Sequence, residues 1–249
     1  GSAPVLNNGY YYYSRTEEGK QYYKYCRKKG SLDAPEEILL DADKMAEGSG
    51  YFSATGFSVS PDNKLMAFGI DKLSRRQYTI YVKNLETGEL LKDEIKGTGG
   101  NAVWAADNKT LFYTSNNQVT LLSEKIRKHK LGTDAAADVT VYEEKDPSNY
   151  IGVYKTKSRD YIVIYSSATL SSEYRILKAS DPDASFSIFQ PRIKDVLYGI
   201  DHWGDKFLIR TNLEAKNFRL METPVDKTTR ENWKEVIAHR TDILLEDID

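Results

Sequence analysis

A strand, a tight turn and a second strand recur along this chain, and the recurrence restricts the fold before any single residue is weighed. Its clearest copies are Phe57-Ser-Val-Ser-Pro-Asp-Asn-Lys-Leu-Met-Ala-Phe68 and Ala102-Val-Trp-Ala-Ala-Asp-Asn-Lys-Thr-Leu-Phe-Tyr113. Looser copies of the turn stand at Asn8-Gly9, Arg159-Asp160 and Gly204-Asp205, so its second residue falls at 9, 63, 108, 160 and 205. Repeats of roughly 40 to 50 residues, each with about four strands, are the signature of an all-β fold, the β-propeller.

Strand patterning around each turn fills in the units. The first predicts strands at 3–6, 10–14, 21–27 and 37–41, and the second at 51–60, 64–70, 78–85 and 90–95. The third predicts 101–105, 110–115, 123–131 and 139–143, the fourth 150–155, 161–166, 173–178 and 185–189, and the fifth 196–201, 206–211, 217–222 and 233–237. Residues 243–248 read as the first strand of a sixth unit. The blades expected are therefore 3–48, 49–97, 98–146, 147–193 and 194–240, with 241–249 opening the next. Stretches such as Tyr161-Ile-Val-Ile-Tyr165 are apolar on both faces, as strands packed between two neighbouring blades must be. Helix is scarce, with one short turn expected over 41–47 and closed by Gly48. An array of about five units leaves a strand edge and a blade face to be covered.

Composition narrows the function classes. A net charge of −2 gives no electrostatic case for nucleic acid or an anionic membrane, and no apolar run approaches the ~20 residues of a membrane span. Gly1-Ser2 resembles a cloning scar, so a leader cannot be judged from this start. The single cysteine, Cys26, rules out a disulfide or a cysteine-based zinc site within the chain, which fits a reducing compartment.

Chemistry-bearing patterns are thin. No Gly-x-Ser-x-Gly elbow occurs, and Gly48-Ser49-Gly50 lacks both the second spacer and a following helix. His129, His202 and His239 are spread along the chain without metal spacing. Lys125-Ile-Arg-Lys-His-Lys130 divides its charges between the two faces of a strand, Glu143-Glu144 points its carboxylates apart, and Asp41-x-Asp43 lacks the later ligands of a calcium loop. No cofactor cradle, metal cluster or catalytic constellation emerges, and a scaffold is expected.

The string Gly9-Tyr-Tyr-Tyr-Tyr-Ser-Arg15, followed by Ser58-Val-Ser-Pro-Asp62, Ser74-Arg-Arg-Gln-Tyr78, Lys83-Asn-Leu-Glu-Thr-Gly88, Val103-Trp-Ala-x-Asp107, His129-x-Leu-Gly132 and Lys216-Asn-Phe218, resembles the propeller of the prolyl oligopeptidase family of serine peptidases, in its oligopeptidase B (protease II) branch. The resemblance runs in order along essentially the whole chain. It implies about five blades of a seven-bladed propeller, with the α/β-hydrolase domain and its Ser, Asp and His lying outside this chain. It also implies a gating role: a propeller over a serine active site admits short peptides, here cut after Arg or Lys, and excludes folded proteins. The implied partners are the hydrolase domain of the same protein and the passing peptides, with self-association through an exposed blade edge as a further expectation. Arg75 and Arg76 match the segment that carries a gating arginine, Arg76 aligning best, although both also read as loop charges in water. A family carboxylate of the same latch aligns with Gly50. A cytoplasmic location is implied, with a periplasmic one left open. The alternative is a stand-alone propeller that binds a protein or peptide.

Overall fold

The computed structural model describes residues 1–236, and the expected strand at 243–248, the last residue of the strand expected at 233–237, and His239 lie outside them. Nineteen strands, one short helix and two 3₁₀ turns make up the described residues. Every strand pair is antiparallel.

Four sheets follow one another along the chain. The first is β1 (Val5–Asn7), β2 (Tyr10–Arg15), β3 (Lys24–Lys29) and β4 (Glu36–Asp41). The helix α1 (Ala42–Ala46) comes next, N-capped by Asp41, which accepts from the Lys44 N–H at 3.2 Å. The second sheet has seven strands in order: β5 (Ser53–Val59), β6 (Leu65–Asp71), β7 (Tyr78–Asn84), β8 (Leu90–Trp104), β9 (Thr110–Asn116), β10 (Ser123–Lys130) and β11 (Val139–Glu143). The third is β12 (Tyr150–Lys155), β13 (Tyr161–Ser167), β14 (Ser172–Lys178) and β15 (Ser187–Gln190). The fourth is β16 (Tyr198–Trp203), β17 (Lys206–Thr211), β18 (Arg219–Pro224) and β19 (Lys234–Glu235).

The seven-stranded sheet departs from the sequence expectation of two strands at 90–95 and 101–105. β8 runs unbroken for 15 residues, pairing with β7 through its first part and with β9 through its last. Thr98 pairs with Tyr78 on one side and with Ser115 on the other. The Gly97-Thr98-Gly99-Gly100 stretch reads as a breaker, yet it lets backbones close up: a Cβ on Gly100 would lie 2.6 Å from Thr55 Cγ2, at a φ of +93°. The expected blade division between 97 and 98 falls inside this strand.

Strand alternation explains the core. On β6, Met66, Phe68 and Ile70 pack toward the first sheet with Leu39, Leu40 and Phe52, while Ala67 joins Ile80, Val82, Trp104, Leu111 and Tyr113. On β9, Phe112 turns to Ile162 and Leu177 of the third sheet. On β13, Tyr161 and Val163 turn the other way, to Tyr198, Ile200, Phe207 and Trp233 of the fourth. Consecutive residues thus serve opposite faces, and each fully buried side chain contributes ~1.5–3 kcal/mol. The outer face of the last sheet is not bare apolar surface, since Leu208 and Leu220 are buried beside Val236.

The recurrent turns are all first hairpins of their units and share one backbone device. Asn8, Gly9, Asn63, Asn108, Arg159 and Gly204 all have φ between 49° and 84°, the left-handed conformation that Asn and Gly adopt at least cost. These turns gather at one end of the molecule. The Asn8 amide donates to Pro61 O at 2.9 Å, the Asp62 N–H donates to Asn108 Oδ1 at 2.8 Å, and the Ala106 N–H donates to Ala179 O at 2.8 Å. Ser158 meets the His202 ring at 2.7 Å. The hairpins β2–β3, β6–β7, β9–β10, β13–β14 and β17–β18 must then lie at the opposite end.

Candidate functional site

The first strands of successive units, β1, β5, the end of β8 and β12, turn side chains toward a common open space of ≈ 840 Å³. Val5, Phe57, Val59, Val103, Trp104 and Val153 give it apolar walls, and Asn7, Asn8, Asn63 and Asn101 give it amide groups. Size and lining suit a short extended peptide or a passage for one. Cys26 also lines it but is 1% exposed, and burial pushes its thiol up to about 11, which leaves it protonated and inert at neutral pH.

Arg75 and Arg76 stand on the β6–β7 loop, at the end of the molecule away from the stitched turns. The buried Asp71 carboxylate organises this loop, accepting N–H bonds from Leu73 at 2.8 Å, Arg75 at 3.1 Å and Arg76 at 2.9 Å. The backbone is wound tightly, with Ser74 at φ 57° and Arg76 at φ 56°. Both arginines are exposed, and neither guanidinium makes a hydrogen bond or ion pair among the described residues. Leu73, 75% exposed, sits beside them, and Val119 on the β9–β10 hairpin and Leu170 on the β13–β14 hairpin are exposed at the same end. The spacing of Asp71 and Leu73 is the mark of an Asx turn, a signal the sequence carries.

Two histidines sit in constellations that sequence reasoning missed. His129 is fully buried, with Nε2 2.6 Å from Asp93 Oδ2 and Nδ1 2.7 Å from Asp138 Oδ1. Tyr113 donates to the other Asp138 oxygen at 2.5 Å, and the Gly132 N–H donates to Asp93 at 2.9 Å. Burial works against the imidazolium, but the hydrogen bonds to Asp138 and Asp93 outweigh it and raise the pKa. Both ring nitrogens donate, so the ring is a tie between strands and neither a base nor a metal ligand. No group of three or more metal-ligating side chains exists among the described residues.

His202 superficially resembles half of a catalytic triad, with Nδ1 2.7 Å from Ser158 Oγ. Asp160 lies 3.8 Å from that same nitrogen rather than on the far side of the ring. A triad needs serine and carboxylate on opposite ring nitrogens. Ser158 Oγ is also engaged with Thr156 Oγ1 at 2.9 Å, and burial lowers the imidazole pKa. The pair fixes a turn. Asp41 and Asp43 are likewise structural, the first capping α1 and the second accepting from the Gln21 and Tyr22 N–H groups at 3.0 Å. Ser49 lies in the turn after α1 with no helix following.

Comparison with known proteins decides the family. All of residues 1–249 match the prolyl oligopeptidase N-terminal β-propeller domain. The chain belongs to that family. It is 40% identical to dipeptidyl aminopeptidase BI of Pseudoxanthomonas mexicana, over 98% of this chain and 36% of that protein. It is 33% identical to protease 2 of Moraxella lacunata, over 90% of this chain and 33% of the relative. The structure of oligopeptidase B from Leishmania major superposes with a TM-score of 0.87 at 30% identity, covering 94% of this chain and 34% of the other. The chain spans about a third of the length of each of these relatives. The four antiparallel sheets, three of which line the open space, are thus those of an N-terminal prolyl oligopeptidase propeller.

Proposed function

We propose that this propeller is the non-catalytic gate of a serine oligopeptidase that cleaves short peptides after Arg or Lys. The observation that carries the reading is that a peptidase-family propeller match covers the whole chain but only about a third of each relative. The ≈ 840 Å³ space supports it, because a passage of that size takes an extended peptide and not a folded domain. The end bearing Arg75, Arg76, Leu73, Val119 and Leu170 is the docking face for the α/β-hydrolase domain, joining unpaired guanidinium groups to exposed apolar contacts. In this reading the described residues are most of five blades of a seven-bladed ring, and the protein works in the cytoplasm.

The chain alone is expected to leave an Arg-containing chromogenic dipeptide substrate intact, while the full-length protein hydrolyses it and is blocked by a serine-directed reagent. Turnover by the chain alone overturns the proposal. The name of the relative at 40% identity favours a second reading, in which the parent enzyme releases dipeptides from a free amino terminus. Paired substrates with free and blocked amino termini separate the two.

A further inference from the structure

Charge is unevenly distributed around the open space. Among the described residues its lining includes Lys155, Lys157 and Arg159 but no Asp or Glu. All three come from β12 and the turn after it, and Lys155 with its neighbour Arg159 makes this wall of the space electropositive. Lys155 is half-buried, and no hydrogen bond or ion pair engages its Nζ among the described residues. Burial, and then the neighbouring Arg159, depress its ammonium to about 8, as befits a cation without a counter-ion. Arg159 is held in place by donating from Nη2 to Asn7 Oδ1 at 2.5 Å, a contact between residues 152 positions apart.

We propose that this wall binds the acidic side chains of short peptides, with Lys155 and Arg159 as the anchors. Apolar and amide groups opposite, among them Phe57, Val59, Asn7 and Asn101, leave room for a peptide backbone rather than a bare ion. The inference does not depend on where the parent enzyme cuts. Among peptides that carry the Arg or Lys at which the parent enzyme would cut, the space favours those with acidic side chains elsewhere over those rich in Arg or Lys.

The test measures fluorescence anisotropy of a dye-labelled tetraglutamate peptide with the 249-residue chain, against tetralysine bearing the same dye. The chain's net charge of −2 opposes tetraglutamate overall, so its binding reports a local site. Tetraglutamate is expected to bind and tetralysine not. Lys155→Met and the exposed Arg159→Met should each weaken binding about tenfold, as loss of one charge-assisted contact does. Unchanged melting temperatures in both variants show that the fold is kept. Equal binding of the two peptides, or variants that bind like the parent chain, overturns the proposal. Inorganic phosphate displacing tetraglutamate at equimolar concentration also overturns it, assigning the wall to small anions.

Discussion

Asn8 and Asn63 exchange hydrogen bonds between neighbouring sheets, Asn8 Nδ2 donating to Asn63 Oδ1 and Asn63 Nδ2 donating to Asn8 O, each at 3.3 Å. Each stands in a recurrent turn with positive φ, 49° for Asn8 and 65° for Asn63. The residue type that permits the turn therefore also ties one unit to the next.

Position 63 separates these two roles. Asn63→Gly keeps the backbone conformation and loses only the side-chain bonds, whereas Asn63→Val also forces a β-branched residue into the left-handed region. Chemical denaturation should place the valine variant below the glycine variant by ~1–2 kcal/mol. Equal stability of the two would mean that the turn is not held in this conformation.

Stability should depend on pH through His129. Its folded pKa lies above the unfolded value of about 6.5, so the contribution is complete below that pH and is lost as pH rises through the folded pKa. Thermal melts are expected to fall from pH 6.5 upward, and the slope should flatten in His129→Asn. His202, whose pKa is lowered, acts in the range below 6.5, where protonation opposes folding. The difference between parent and His129→Asn isolates the first effect from the second.

Two glycines with similar dihedral angles predict different costs. Gly88, at φ 78°, has nothing within 4 Å of an added Cβ, whereas at Gly100, with φ 93°, the added atom meets Thr55 at 2.6 Å and Tyr78 at 2.9 Å. Gly88→Ala should cost ~1–2 kcal/mol from backbone strain alone. Gly100→Ala adds overpacking of a further ~1–3 kcal/mol. Urea midpoints of the two variants give the comparison directly.

The gating assignment is tested at Arg75 and Arg76. In the full-length enzyme, Arg76→Ala should change kcat/KM for a long peptide more than for a dipeptide, while the melting temperature of the propeller alone stays put. Exposed surface changes of this kind lie within ~0.5 kcal/mol. Asp71→Ala should reproduce the kinetic change by releasing the loop, at a measurable cost in stability. Identical kinetics in both variants would leave the two arginines as solvated loop charges.

Strands were legible wherever alternation and a turn coincided. β2, β6, β9, β12, β13 and β17 lie where the pattern puts them, because a first hairpin carries its whole signal in about a dozen adjacent residues. Outer strands drift, with 21–27 expected and Lys24–Lys29 found, and 217–222 expected and Arg219–Pro224 found, since loop residues such as Tyr22 and Phe218 look strand-like. β8 was misread because glycines that usually end a strand here permit three backbones to approach. The His129 tie was invisible for another reason: Asp93 is 36 residues away and comes within reach only through the pairing of β8, β9 and β10. The open space was likewise a property of assembly, since Lys155 and Asn7 belong to different sheets.

The unbroken β8 sets where such a ring can flex. A crack between the two halves of the seven-stranded sheet would have to tear a strand hydrogen-bonded on both sides, with Thr98 caught in each ladder. The other sheets are joined by the segments 42–52, 144–149 and 191–197, by side-chain packing and by hydrogen bonds between turns, with no strand ladder across them. Opening at one of those three seams breaks no strand ladder, whereas opening between β5 and β11 does.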